Sequence, residues 1–195
     1  MRETHIQRET RETKISCTLD LDGIGEVTAE TGVAFFDHML NAFARHGQFD
    51  LRIEATGDLE VDAHHTVEDV GIVLGQAFAQ SLGDKSGITR FGDALVPMDE
   101  ALVLAAVDIS GRGQLHWDVS LPIELIGTFD TTLFKEFLIA LAVNAGLTLH
   151  VRSFAGENAH HILEAAAKAV ARALRCAVAR DERNAGRIPS TKGVL

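Results

Sequence analysis

Cysteine is scarce: the 195 residues hold Cys17 and Cys176 and no others. Two thiols so placed make neither a disulfide framework nor a CxxC metal site, and both read as small buried or half-buried groups of a reducing cytoplasm. Long apolar runs are also missing. No stretch reaches the roughly 18 residues that a membrane span requires. The charged opening MRETHIQRETRET lacks the apolar core of a signal peptide. Basic charge is in deficit, with 18 Lys and Arg against 28 Asp and Glu and a net charge of −10. That balance excludes nucleic acid as a partner, because a phosphate backbone needs a basic surface. A small anionic substrate stays compatible with it if a few cations gather locally. No Pro/Ser-rich linker divides the chain. What remains is a soluble, cytoplasmic globular protein, 46% hydrophobic and 24% charged, long enough for one sizeable core or two small halves sharing one.

Apolar periodicity predicts strands within residues 5–29, with Asp22-Gly23 as a turn, and a helix over 34–46 carrying Phe35, Phe36, Met39, Leu40 and Phe43. A strand Phe49–Thr56, a turn at Gly57-Asp58 and a long helix His64–Leu82 follow. Strands recur around 94–120, with a GxG turn at Gly111 and Gly113, then a helix 129–145, a strand 147–154 and a helix 158–180. The order of elements runs twice. At an offset of 96, His64, His65, Val67 and Glu68 fall on His160, His161, Leu163 and Glu164. At an offset of 98, Phe36, Met39, Leu40 and Phe43 fall on Phe134, Phe137, Leu138 and Leu141, and His38 falls on Glu136. Any two amphipathic helices share apolar spacing, but a repeated HHxxE is not produced that way. The expected architecture is α+β, internally duplicated as halves 1–86 and 87–195 within one compact unit.

The duplicated motif carries metal-ligand chemistry. On a helix, residues i and i+4 lie about 40° apart and i+1 and i+4 about 60° apart, so either histidine of HHxxE can share an ion with the glutamate. Adjacent histidines diverge by about 100° and are poorly placed to chelate one ion together. Each motif therefore offers a His–Glu pair and a spare histidine, which suggests two metal sites with ligands from both motifs. His38 and Glu136, equivalent in the repeat, supply the fourth ligands. Imidazole and carboxylate without thiolate suit Mn2+, Fe2+, Co2+ or Zn2+ rather than a structural cysteine site. The other histidines read more plainly: His5 and His116 as solvated or packed strand residues, His46 as a cation at a helix C-terminus, His150 as a partner behind a ligand. Cations suited to an anion stand beside glycines, namely Arg90 before Phe91-Gly92, Arg112 between Gly111 and Gly113, and Lys192 in the closing Pro189–Leu195 segment. Read from these residues alone, a metal-dependent hydrolase and a metal-storage assembly stay open beside a lyase.

Over essentially its whole length the chain resembles the imidazoleglycerol-phosphate dehydratases. The segments that carry the likeness are Arg8-Glu-Thr-Arg-Glu-Thr13, Phe36-Asp-His-Met-Leu40, Ala55-Thr-Gly-Asp58 and Asp62-Ala-His-His-Thr-Val-Glu-Asp69. They continue through Gly87–Asp93, Pro97–Ala101, Asp108–Arg112, Asn158–Glu164 and Pro189–Leu195. The resemblance implies mixed four-stranded sheets backed by a layer of four helices, and an assembly of twenty-four subunits with active sites between them. It implies two Mn2+ per subunit, one held by His64, Glu136, His160 and Glu164, the other by His38, His65, Glu68 and His161. Glu136 stands where many family members have histidine. Phosphate contacts would fall on Arg90, Arg112, Ser190, Thr191 and Lys192 with Lys168 nearby, while Glu12, His46 and Asp99 match substrate-contact or catalytic positions. The implied reaction dehydrates D-erythro-imidazoleglycerol phosphate to imidazole acetol phosphate in histidine synthesis. Its expected course passes through an imidazolate bound to both metals, with Glu12 as general base and Asp99 or Glu164 as the alternatives.

Overall fold

Alternation sets the strands. In β2 (Thr13–Asp20), Thr13, Ile15, Cys17 and Leu19 are buried while Lys14 between them is exposed. A computed structural model describes residues 2–195. β1 (Glu3–Glu9) and β2 lead to β3 (Val27–Glu30), helix α1 (Ala34–Gly47), β4 (Asp50–Gly57) and helix α2 (His64–Leu82). The sequence then repeats as β5 (Phe91–Met98), β6 (Ala101–Asp108), β7 (Gln114–Asp118), helix α3 (Thr132–Ala145), β10 (Thr148–Ala155) and helix α4 (Ala159–Val178). A small hairpin, β8 (Leu125–Ile126) and β9 (Phe129–Asp130), sits before α3. The helix expected from 129 therefore starts at Thr132, where the Asp130 carboxylate accepts the Thr132 N–H at 2.8 Å and closes the hairpin against the helix start.

The two sheets have matching strand order, β1-β2-β4-β3 and β5-β6-β10-β7, each antiparallel except for a final parallel pair. The fold is α+β, with four helices and mixed four-stranded sheets. One sheet packs on α1 and α2, the other on α3 and α4, and between the sheets α1 meets α4 and α2 meets α3. None of the helices among the described residues is long and apolar enough to cross a membrane.

Both faces of the helix layer are apolar, so the core is continuous across the two repeats. Phe36 and Phe137, from different repeats, meet edge to face at 5.1 Å, and Phe49 meets Phe78 likewise at 5.3 Å. α2 approaches α3 closely because Gly71 and Gly75 face it. A Cβ on Gly71 would lie 2.6 Å from the Phe137 carbonyl oxygen, and one on Gly75 would lie 2.8 Å from that of Leu141. At the matching positions of α4 stand Ala167 and Ala171.

The contact makes opposite effects compete in Gly71→Ala. Helix propensity alone favours alanine by about 1 kcal/mol, while overpacking against another helix costs about 1–3 kcal/mol. We expect a net loss of up to about 2 kcal/mol, read as a lower denaturation midpoint of the metal-free protein. A clearly higher midpoint would show that α2 and α3 are not in backbone contact there.

Candidate metal centre and anion site

The two HHxxE motifs occupy the first turns of α2 and α4, where repeat-equivalent side chains accept the N–H of each first histidine. The Asp62 carboxylate accepts the His64 N–H at 2.7 Å, and the Asn158 side-chain oxygen accepts the His160 N–H at 2.9 Å. Because α1 runs against α4, His38 reaches the first turn of α4. His38 Nε2 lies 3.4 Å and His160 Nε2 3.3 Å from the same Glu164 oxygen. One ligand atom from each of His38, His160 and Glu164 falls within 4.8 Å of the others, a spacing that fits one ion. Phe35 packs edge to face on His160 at 5.1 Å and limits its rotation. Glu164 is nearly covered. Burial would raise its pKa, but the Lys168 ammonium at 2.7 Å and His38 outweigh that and hold the carboxyl below its usual range.

The resemblance gives His160 and Glu164 to one metal and His38 to the other; within one chain the three come together because α1 neighbours α4. In the first motif His64 Nε2 lies 3.8 Å from Glu68. Glu136, on α3 beside α2, is half-buried and makes no ion pair or hydrogen bond among the described residues.

The second histidine of each motif points away from its cluster, as the 100° divergence requires. His65 Nδ1 lies 3.0 Å from Asp58 and 4.0 Å from Glu12. His161 Nδ1 lies 2.7 Å from Glu100, with Asp99 3.8 Å from its Nε2. The hydrogen bonds to Asp58 and to Glu100 raise both histidines above their ordinary values. Glu100, which also accepts the Asn158 N–H, falls from 4.5 to about 2. An open hollow of about 520 Å³ beside His161 is lined by Glu100, Ile123, Asn158 and Ala159. Asp58 and Glu100 escaped the sequence reading. Only comparison of the two β-hairpin turns, which places Glu12 against Glu100, would have singled one of them out.

His46 ends α1, half-buried, its pKa lowered first by burial and then by Lys168 and Arg172. Glu12 and Asp99 are exposed hairpin-turn residues. Cys17 belongs to the core, where burial pushes its thiol up to about 12.

The anion residues gather at the opposite end of α4. Arg90 donates to the Ala177 carbonyl through its backbone, to Asp108 through its fork at 2.7 and 3.2 Å, and to the Pro189 carbonyl at 2.8 Å. The tail so anchored brings Leu195 against Gly111, beside the exposed Arg112 and near Lys85, a cation the sequence reading passed over. Ser190, Thr191 and Lys192 lie in this tail, Ser190 accepting the Lys192 N–H at 3.2 Å. Lys168 stays with Glu164. Ala177 lies 13 residues beyond Glu164 on α4, about 20 Å at a rise of about 1.5 Å per residue. One chain thus holds its metal-type and anion-type residues far apart.

Residues 31–174 match the family model "Imidazoleglycerol-phosphate dehydratase". The chain is 59% identical over 194 residues to the protein of that name from Gluconobacter oxydans, covering 100% of this chain and 98% of the relative. It is 60% identical over 195 residues to the one from Dinoroseobacter shibae, covering all of both. Among solved structures it is similar to IGPD from Pyrococcus furiosus in complex with (S)-C348, at a TM-score of 0.83 and 43% identity over 97% of this chain and 100% of that one. The Staphylococcus aureus imidazoleglycerol-phosphate dehydratase gives 0.80 at 39% identity, over 91% of this chain and 99% of that one.

The Glu100–His161 pair sets a pH window. Glu100's contribution to stability is complete above its ordinary 4.5 and is lost as pH falls through about 2. That of His161 is complete below 6.5 and is lost as pH rises through its raised folded value. The melting-temperature gap between the metal-free protein and its Glu100→Gln variant should therefore be widest between pH 4.5 and 6.5 and narrow on both sides. A gap that does not vary with pH would contradict the pairing.

Proposed function

The chain belongs to the imidazoleglycerol-phosphate dehydratase family and is a hydro-lyase of histidine biosynthesis, and from that premise we propose that it converts D-erythro-imidazoleglycerol phosphate to imidazole acetol phosphate and water. The observation that carries the reading is the convergence of His38, His160 and Glu164 at the start of α4. The donors fit a divalent ion of the Mn2+ class, being imidazole and carboxylate with the only thiols elsewhere. His64, Glu136, His160 and Glu164 would hold one ion and His38, His65, Glu68 and His161 the other, two Mn2+ per subunit, with ligands of each set drawn from neighbouring subunits. His65 and His161 face outward and would complete centres with neighbouring subunits. Bound there, the two ions would supply Lewis acidity to both nitrogens of the substrate's imidazole and stabilise negative charge on the ring as the adjacent C–O bond breaks.

The residues divide the remaining work. Glu12 takes the proton from the hydroxyl-bearing carbon one removed from the ring. The hydroxyl on the ring-bearing carbon leaves as water, its added proton balancing the one taken from carbon, and the enol so formed relaxes to the ketone. Asp99 and His46 contact the substrate, and Arg90, Arg112, Lys192 and the Ser190 and Thr191 hydroxyls hold the phosphate. A three-carbon chain between imidazole and phosphate is far shorter than the roughly 20 Å between the two ends of α4. Metal-type and phosphate-type residues around one substrate must then come from different subunits.

The sheet surfaces support such an assembly, which we read as a cytoplasmic homo-oligomer of 24 subunits built from chains duplicated at about residue 86. The second sheet exposes Phe91, Leu95 and Phe154, each more than half accessible, where the first sheet carries the repeat-equivalent Glu3, Gln7 and Thr56. Apolar side chains confined to one sheet suit contact with another copy.

Metal-stripped protein should form no imidazole acetol phosphate from the substrate, and addition of Mn2+ should restore turnover. Equal turnover with verified absence of metal, or none with Mn2+ bound, would overturn the proposed reaction.

A further inference from the structure

We propose that Asp58 and Glu100 are positioning residues that hold the Nδ1–H groups of His65 and His161, so that each outward ring presents Nε2 to a metal; the inference rests on the metal reading above. An imidazole that donates from Nδ1 to a carboxylate keeps its lone pair on Nε2, with the ring plane fixed by the same bond. Both histidines have that arrangement, at 3.0 Å to Asp58 and 2.7 Å to Glu100. Neither acid is idle elsewhere in a way that would move it. The second Glu100 oxygen accepts the Glu157 and Asn158 N–H groups at 3.2 and 2.9 Å and is fixed to the start of α4. The Asp58 backbone donates to the Glu12 carbonyl at 3.1 Å.

The two repeats reach this arrangement with different residues. The turn joining β1 and β2 corresponds to that joining β5 and β6 at an offset of 88, since Glu9 pairs with Lys14 as Pro97 pairs with Leu102. Glu12 is thus the counterpart of Glu100. Beyond β4 and β10 the offset is 98, and Asp58 corresponds to Gly156. Gly156 has a φ of +147°, and a Cβ there would lie 2.4 Å from Ile162 Cγ1. No acid can stand in the second repeat where Asp58 stands in the first. Glu100 therefore holds His161, whereas Asp58 holds His65 and leaves Glu12 4.0 Å away with its side chain 56% exposed. The asymmetry frees one member of the equivalent pair, Glu12, for proton transfer.

The test is Mn2+ affinity of the full protein, measured by competition with a chelator, for Asp58→Ala, Asp58→Asn and Glu100→Gln beside His65→Ala and His161→Ala. Asp58→Ala should weaken one class of sites roughly 10- to 100-fold. Asp58→Asn, which keeps an acceptor, should weaken it less, and the melting temperature of metal-free protein should fall no further in either than in His65→Ala, which removes the same pair. Glu100→Gln should weaken the class that His161→Ala weakens. If the histidine variants lose affinity and the Asp58 and Glu100 variants do not, the positioning role is wrong and the metal reading stands. If the histidine variants also keep full affinity, the metal reading falls and this inference falls with it. A loss in Asp58→Ala matched by a metal-free melting temperature clearly below that of His65→Ala would assign Asp58 a structural role and overturn the inference.

Discussion

Two consecutive histidines on a helix point about 100° apart, and the rest of the site is arranged around that divergence. In each HHxxE motif the first histidine folds back toward the glutamate four residues on, and the second is turned out of the cluster. His160 and Glu164 gain His38 from α1, a third donor within reach of one ion. His161 faces an open hollow instead. A motif of this form turns its two imidazoles to different sides of the helix, and the proposed function assigns them to different centres.

Much of the arrangement was legible in the sequence because helices impose their period on it. The repeat, the paired motifs and the equivalence of His38 with Glu136 all follow from spacing. Three features were not legible. Which helix delivers its residue to which motif depends on how α1–α4 pack, and the glycines of α2 that admit α3 declare nothing about that in isolation. The carboxylates behind His65 and His161 lie in turns, where no period reveals them. Asp58 and Glu100 occupy different places in the two repeats, so even the duplication conceals their common contact. The short hairpin before α3 was missed for a similar reason, since two-residue strands carry too little pattern to read.

Charge is distributed with the same economy of place. The chain carries a net −10, yet Lys168 lies beside Glu164, and Arg90 and Arg112 lie near the tail at the far end of α4. Lys168 offsets the burial of Glu164 and keeps its carboxylate ionised for a cation. Arg90 is tied to Asp108 and to the Pro189 carbonyl, so it also anchors the tail that carries Ser190, Thr191 and Lys192. Local fields, set by a few contacts, decide where an anion or a metal can sit.

On the proposed function, the separation of these two ends along α4 makes the site a property of the assembly. Subunit mixing tests it directly. Glu164→Ala damages the metal end and Arg112→Ala the anion end, and each variant alone should be crippled. If the two are dissociated with chelator, mixed and reassembled with Mn2+, sites that draw intact Glu164 from one chain and intact Arg112 from another should regain dehydratase activity. Mixed particles of verified hybrid composition that stay as inactive as the separate variants would show that each site lies within one chain, contradicting the account.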